Sequence, residues 1–147
     1  MLDWLELKCV ILSDLSNLAD SNGPITTLKY NLKPTNIKEL INYTASFPLA
    51  YFSDKEEKNK YLGIGKIRLA SSIQDFNKYL ELINEYPELY LMGGQRFDQE
   101  KEISQEWISF NNYFYFIPQI LFMENNKSIT ISVNIDHSKS ISQQILE

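Results

Sequence analysis

Apolar positions Leu2, Leu5, Cys9, Leu12 and Leu15 recur three and four apart, the spacing of one helix face, and the run gives way to Asp20-Ser21-Asn22-Gly23-Pro24. The pattern predicts an amphipathic helix over residues 3–18 and a linker up to residue 24. Ile25 to Leu32 then alternates, with Leu28, Tyr30 and Leu32 on one side and Thr27, Lys29 and Asn31 on the other, as in a half-buried strand. Pro34 ends it. Asn36 and Glu39 stand in N-cap and N3 relation ahead of Ile37, Leu40 and Ile41, which predicts a short helix over 37–45 closed by Phe47-Pro48.

Two β-rich segments follow, 49–53 and 60–69, separated by the charged run Asp54-Lys55-Glu56-Glu57-Lys58-Asn59, a solvated hairpin loop. Ser72 and Asp75 repeat the capping pattern, and Phe76, Tyr79, Leu80 and Ile83 form the apolar stripe of a helix over 73–85 that Pro87 terminates. A short strand over 89–93 runs into Gly93-Gly94, adjacent glycines that permit positive φ or close backbone approach. The polar stretch 99–106 reads as a mobile loop. Tyr113 to Met123 is aromatic and branched, and Ile129, Ile131, Val133 and Ile135 alternate with Thr130, Ser132 and Asn134, so strands are expected over 113–123 and 128–135 about a turn at 124–127. Pro118, lacking an amide donor, places the first of these at a sheet edge or a bulge. Ile141, Ile145 and Leu146 read as the first turns of a further helix.

The predicted class is therefore α+β: one antiparallel sheet of 25–32, 49–53, 60–69, 89–93, 113–123 and 128–135, with helices 3–18, 37–45 and 73–85 packed on it. Residues 1–147 read as a single domain, divided into an N-terminal helix and linker over 1–24, a core over 25–135 and a C-terminal helix over 136–147. Both faces of 113–123 are apolar, as in a strand covered on both sides, and so short a domain has little to cover it. That points to a missing partner surface, through self-association or docking.

Composition narrows the function. At 147 residues and 17.2 kDa, 44% hydrophobic and 22% charged, with five Gly and five Pro, the chain is one packed domain, which excludes a multidomain enzyme and global disorder. Fourteen basic against 19 acidic residues give a net charge of −5, with a pI near 4.9, so nucleic acid and anionic membrane are not expected partners. The longest apolar runs, Cys9 to Leu12 and Phe114 to Pro118, fall far short of the roughly 20 residues that cross a bilayer. The first residues lack a signal peptide's basic region and cleavage site. A lone Cys9 forms no intramolecular disulfide, so the chain reads as reduced and cytoplasmic. A lone His137 removes the usual zinc sites and leaves a Cys/His dyad only if Cys9 and His137 meet.

Candidate chemistry is sparse. Gly63-Ile64-Gly65-Lys66 lacks the glycine spacing and the Ser or Thr of a phosphate loop, and reads as a twist, bulge or close neighbour in a strand. Glu56-Glu57, Glu81 with Glu85, and Glu100 with Glu102 are carboxylate pairs on solvated surface. No Gly-x-Ser-x-Gly elbow surrounds any serine. Asn42-Tyr43-Thr44 and Asn126-Lys127-Ser128 fit the glycosylation triplet, which is silent in a cytoplasmic chain. Phe110, Tyr113, Phe114, Tyr115 and Phe116 form an aromatic run better suited to a core or interface than to a ligand platform.

Several segments resemble, in order, the N-terminal portion of the menaquinone-type isochorismate synthases, chorismate-utilising enzymes that also include anthranilate and salicylate synthases. They are Phe47-Pro48-Leu49-Ala50-Tyr51-Phe52, Tyr61-Leu62-Gly63-Ile64-Gly65, the helix from Ser72 to Ile83, Leu91-Met92-Gly93-Gly94-Gln95-Arg96-Phe97-Asp98, and Phe116-Ile117-Pro118-Gln119-Ile120-Leu121-Phe122. The resemblance covers about residues 25–135. It implies that the chain is the non-catalytic N-terminal part of an enzyme converting chorismate to isochorismate with magnesium. The catalytic lysine, glutamates and magnesium site of that family lie in a C-terminal chorismate-binding region, the implied missing partner. The resemblance thus assigns no catalytic, cofactor-binding or metal-binding residue to this chain, and expects it to be inactive alone. The alternative reading is a small non-enzymatic interaction module that dimerises or docks a partner through its aromatic strand.

Overall fold

The structure, a computed structural model, describes residues 4–18, 23–33, 36–44, 46–98, 102, 104–125 and 128–139. Helix α1 spans Trp4–Ser16, β1 Ile25–Leu32, β2 Leu49–Ser53, β3 Asn59–Ile64 and β4 Arg68–Ala70. Helix α2 spans Ile73–Glu85, β5 Met92–Gln95, β6 Tyr113–Ile117, β7 Ile120–Asn125 and β8 Ser128–Asp136, with 3₁₀ helices at Ile37–Tyr43 and Gln105–Phe110. The α+β class with antiparallel pairing is as expected. The single sheet is not: the strands divide into a five-stranded sheet, β1-β8-β7-β3-β2, and a three-stranded sheet, β4-β6-β5.

The division follows from two short interruptions. The expected strand 60–69 ends at Ile64, because Gly65 turns the chain at φ +64° and delivers Arg68–Ala70 to the other sheet. The expected strand 113–123 breaks likewise at Pro118-Gln119, so β6 is central in the small sheet and β7 is central in the large one. Pro118 therefore marks neither an edge nor a bulge. It is fully buried at the corner, where its missing N–H costs no ladder bond.

One face of the large sheet holds the main core: Tyr30 and Leu32 of β1, Ile129, Ile131, Val133 and Ile135 of β8, Phe122 of β7 and Leu62 of β3. Ile37 of the first 3₁₀ helix and Leu7 of α1 are buried against it. The face α1 presents agrees with the expected stripe at Leu15 but not at Cys9 and Leu12, with the side chains of Leu2 and Leu5 outside the described ones. Leu7, Val10, Ile11, Leu15 and Leu18 pack on the core, whereas Cys9 and Leu12 are exposed. Tyr30 Oη donates to Asp14 Oδ2 at 2.8 Å and ties that helix to the sheet. Burial, and then the hydrogen bond and charge of Asp14, push the Tyr30 phenol well above its ordinary range.

Residues 37–43 are a 3₁₀ helix rather than an α-helix; Asn36 Oδ1 caps it by accepting from Lys38 N–H at 3.1 Å. On α2, Ser72 Oγ accepts from Asp75 N–H at 3.1 Å, as the capping pattern predicts. Tyr79, Leu82 and Ile83 turn toward a second core of Ile25, Ile67, Leu89 and Ile117, while Leu80, expected in the stripe, is exposed. Leu89 is buried as expected but lies in an irregular segment ahead of β5. The loop expected over 99–106 gives way to the 3₁₀ helix from Gln105, with 99–101 and 103 outside the described residues. Strand β7 extends through Asn125, and the rest of the expected turn, 126–127, lies outside the described residues, as does the expected helix at Ile141, Ile145 and Leu146.

A polar joint locks the two sheets together. Asn134, 1% exposed, donates from Nδ2 to Pro118 C=O at 2.8 Å and accepts from Thr27 Oγ1 at 2.7 Å. Asp136 is fully buried and grips the Arg68 guanidinium of β4 through both carboxylate oxygens, with Nη2 to Oδ1 at 3.0 Å. Ser138 N–H and Oγ donate to Oδ1 at 3.0 and 2.7 Å, so the buried charge is paired and hydrogen-bonded.

Candidate functional site

The strand expected to lack cover is partly to fully buried in the chain itself. Phe116 and Ile117 of β6 and Leu121 and Phe122 of β7 are buried, and no residue from Tyr113 to Met123 is exposed. Large exposed apolar residues lie elsewhere, among them Phe47, Phe52, Tyr90, Phe97, Ile108 and Phe110. Of these, Phe52, Tyr90 and Phe110 line a cleft of about 910 Å³ between the two sheets.

The cleft is built by two strands that end their sheets. Leu49, Ala50, Tyr51 and Phe52 of β2 form one wall, and Met92, Gly93, Gly94 and Gln95 of β5 the other. Consecutive strand residues point to opposite faces, so a wall made of four in succession is a strand edge rather than one face. Between the walls lie Tyr61, Tyr90, Phe114 and Phe116, and Arg96, Glu102, Ser104 and Asn111 supply polar groups at its rim. Tyr61 stacks obliquely on Phe52 and on Tyr90 at centroid distances of 6.2 and 6.0 Å, and Phe110 meets Phe114 edge-on at 5.0 Å.

The glycines of this region differ in role. Gly93 adopts φ +139°, and a Cβ there would lie 2.0 Å from Phe114 O and 2.7 Å from Tyr115 Cα, so β5 crosses β6 too closely for a side chain. A Cβ on Gly94 would meet nothing within 4 Å. Gly63 lies beneath the Met92 thioether and Pro118, which lets β5 cross over β3.

The groups weighed for chemistry are scattered. Cys9 is exposed on α1, and His137 Nε2 lies 2.8 Å from Thr26 Oγ1 at the end of the large sheet. Glu56 pairs with Lys58 in the hairpin loop, where Asp54 organises the turn by accepting from Lys58 N–H at 2.8 Å and Asn59 N–H at 3.1 Å. Glu81 and Glu85 are exposed on α2, and Glu100 is outside the described residues. Glu102 is at the cleft, where its carbonyl accepts from Arg96 Nη2 at 3.1 Å. The sequence reading missed Glu124, whose Oε1 binds Lys60 Nζ at 2.9 Å. That hydrogen bond and the carboxylate charge hold the Lys60 pKa above its ordinary range despite some desolvation. Among the described residues no three His, Cys, Asp or Glu side chains gather as a metal site. The cleft offers apolar walls, aromatic faces and strand-edge backbone, which suit binding an extended or apolar partner.

No family model matches the chain, and no curated protein matches it in sequence. Its fold, α+β with antiparallel sheets and packed helices, is nonetheless one found within a solved enzyme. That enzyme is MenF, the menaquinone-specific isochorismate synthase from Escherichia coli, which overlays this chain with a TM-score of 0.69. Sequence identity is 12%, so the likeness shows the fold alone. The overlay covers 95% of this chain and 32% of MenF, so the chain spans about a third of that enzyme's length. Among the described residues no helix is long and apolar enough to cross a membrane.

Proposed function

We propose that the chain is a sheet-forming, non-catalytic portion of an isochorismate synthase, which by likeness to MenF would serve the magnesium-dependent conversion of chorismate to isochorismate in menaquinone synthesis. The observation that carries this reading is the overlay on MenF across 95% of the chain. The segments that resemble the family support it, since they fall on β2, β3, α2, β5 and the β6–β7 corner. On this reading the lysine and glutamates that activate water, protonate the leaving hydroxyl and hold magnesium come from a separate chorismate-binding region, and this chain is a scaffold for it. A second reading, a small interaction module, is favoured by the aromatic cleft with its two strand edges.

The purified chain, incubated with chorismate and magnesium, is expected to give no isochorismate above background. Turnover abolished by a single substitution in the chain would overturn the scaffold reading. The coding sequence next to that of the chain discriminates further: a chorismate-binding region, in frame or in a neighbouring gene, supports the scaffold. Adding that region should then yield magnesium-dependent activity that neither part has alone.

A further inference from the structure

Among the described residues four strands end a sheet, and three of them are blunted. β1 carries an exposed Lys29, β4 has only three residues, and β5 leaves regular strand geometry at Gly93. β2 has no lysine, no proline and no bulge between Leu49 and Ser53, and its register with β3 is unbroken. At the two ends of that ladder, Gly65 N–H donates to Pro48 C=O at 2.9 Å and Asp54 N–H to Asn59 C=O at 3.0 Å. Hydrogen-bonded pairs alternate along an antiparallel ladder, so Ala50 and Phe52 turn their backbone groups toward β3. Leu49, Tyr51 and Ser53 turn theirs away, to an edge with no strand beyond it among the described residues.

We propose that this edge pairs with the same edge of a second copy of the chain, antiparallel about a twofold axis through Tyr51. The register is self-complementary. Leu49 falls opposite Ser53 of the second copy and Tyr51 opposite its counterpart, so the outward N–H and C=O groups of these residues all find partners. In the intervening pairs Phe52, 59% exposed, lies over the small Ala50 of the second copy and closes the open side of the cleft.

Charge agrees with this register. The net −5 would oppose most contacts between copies, but Phe47 to Ser53 carries no charged side chain. Continuing the register sets Asp54 opposite Pro48 and Lys55 opposite Phe47, so no like charges meet. The product is one continuous sheet across the dimer, with both unguarded β2 edges consumed and no open-ended growth through them.

Light scattering over a concentration series tests it, with Phe52→Lys, Ser53→Pro and a control, Leu12→Lys, on the exposed side of α1. The parent and the control are expected to form a dimer that goes no further. Both edge variants should associate roughly tenfold or more weakly. Ser53→Pro removes an N–H that the β2–β3 ladder does not use, so it preserves the fold if Phe52→Lys does not. Hydrogen exchange supplies the positional readout: rising concentration should slow the Leu49, Tyr51 and Ser53 amides more than those of Met92 to Gln95. A strictly monomeric parent, a dimer that survives both edge variants, or concentration-dependent protection centred on β5 would each overturn the proposal.

Discussion

The joint between the sheets and the cleft beside it are made of opposite materials. The joint is polar and sealed, with Asp136 and Asn134 buried and bonded to Arg68, Ser138, Thr27 and Pro118. The cleft is aromatic and open, with Phe52 and Phe110 facing solvent. Polarity alone therefore does not decide what is inside; partners do. The joint should carry stability and the cleft should carry binding, and substitutions in each can break that division.

The largest effect is expected at Asp136. Removing one member of a buried ion pair leaves the other charge without its partner, at a cost of about 3 to 5 kcal/mol. Asp136→Ala should accordingly lower unfolding stability by that order in a denaturant titration. Combining it with Arg68→Met should recover much of the loss, because no buried charge is then stranded. A single variant as stable as the parent would show that the joint is not a lock.

Next come the adjacent glycines, which form a comparison within the cleft wall. Gly93→Val places a side chain at φ +139° against the β6 backbone, so a loss of at least about 1 to 3 kcal/mol from backbone strain is expected. Gly94→Ala should change stability by about 0.5 kcal/mol or less, since its added Cβ meets open space. Thermal melts of the two variants that overlay one another would remove the distinction.

The sequence makes the joint and cleft legible in unequal parts. Alternation exposed β1 and the apolar face of β8, because a period of two survives wherever one side of a strand meets a core. It could not show that Ser132, Asn134 and Asp136 on the other side are also buried, since that depends on a second sheet folding over them. The breaks at Gly65 and Pro118 were hidden because both flanking segments are β-rich, and a change of sheet is a tertiary event with a local cue of only one or two residues. In α1, apolar residues at Leu7, Cys9, Val10, Ile11 and Leu12 leave two competing stripes, and only packing selects Leu7 and Ile11 over Cys9 and Leu12. The special backbone requirement at Gly93-Gly94 is visible in the sequence, but not which glycine is indispensable. The aromatic run points to β6, whereas the exposed edge is β2, which lies in an uncharged stretch from Phe47 to Ser53.

A smaller effect should appear at high pH. The Tyr30 phenol titrates in the unfolded chain near its ordinary value of 10.0 and higher in the folded one. Its stabilisation is therefore whole below that pH and is lost as pH rises through the raised folded value. Tyr79, raised by burial and then by Asp75, acts with the same sign. Tyr30→Phe should cost about 1 kcal/mol at neutral pH through the lost hydrogen bond to Asp14. Its stability should then decline less steeply than the parent's above pH 10.0. Parallel alkaline limbs for the two proteins would mean that Tyr30 is not the group responsible.

The smallest stability changes are expected at the exposed aromatics, which sharpens the division between joint and cleft. Phe97 is wholly exposed, at 106% of its reference area, so Phe97→Ser should shift unfolding by about 0.5 kcal/mol or less. Phe52 touches Tyr61 at a ring separation of 6.2 Å, and Phe52→Ser should cost about 1 kcal/mol or less, the worth of one tilted aromatic pair with little burial behind it. Both should be read at a concentration low enough to keep the chain monomeric, because association would add its own stabilisation by mass action. If Phe52→Ser under those conditions destabilises as strongly as Asp136→Ala, the cleft belongs to the folding core. The contrast between a sealed polar joint and an aromatic surface reserved for binding would then be lost.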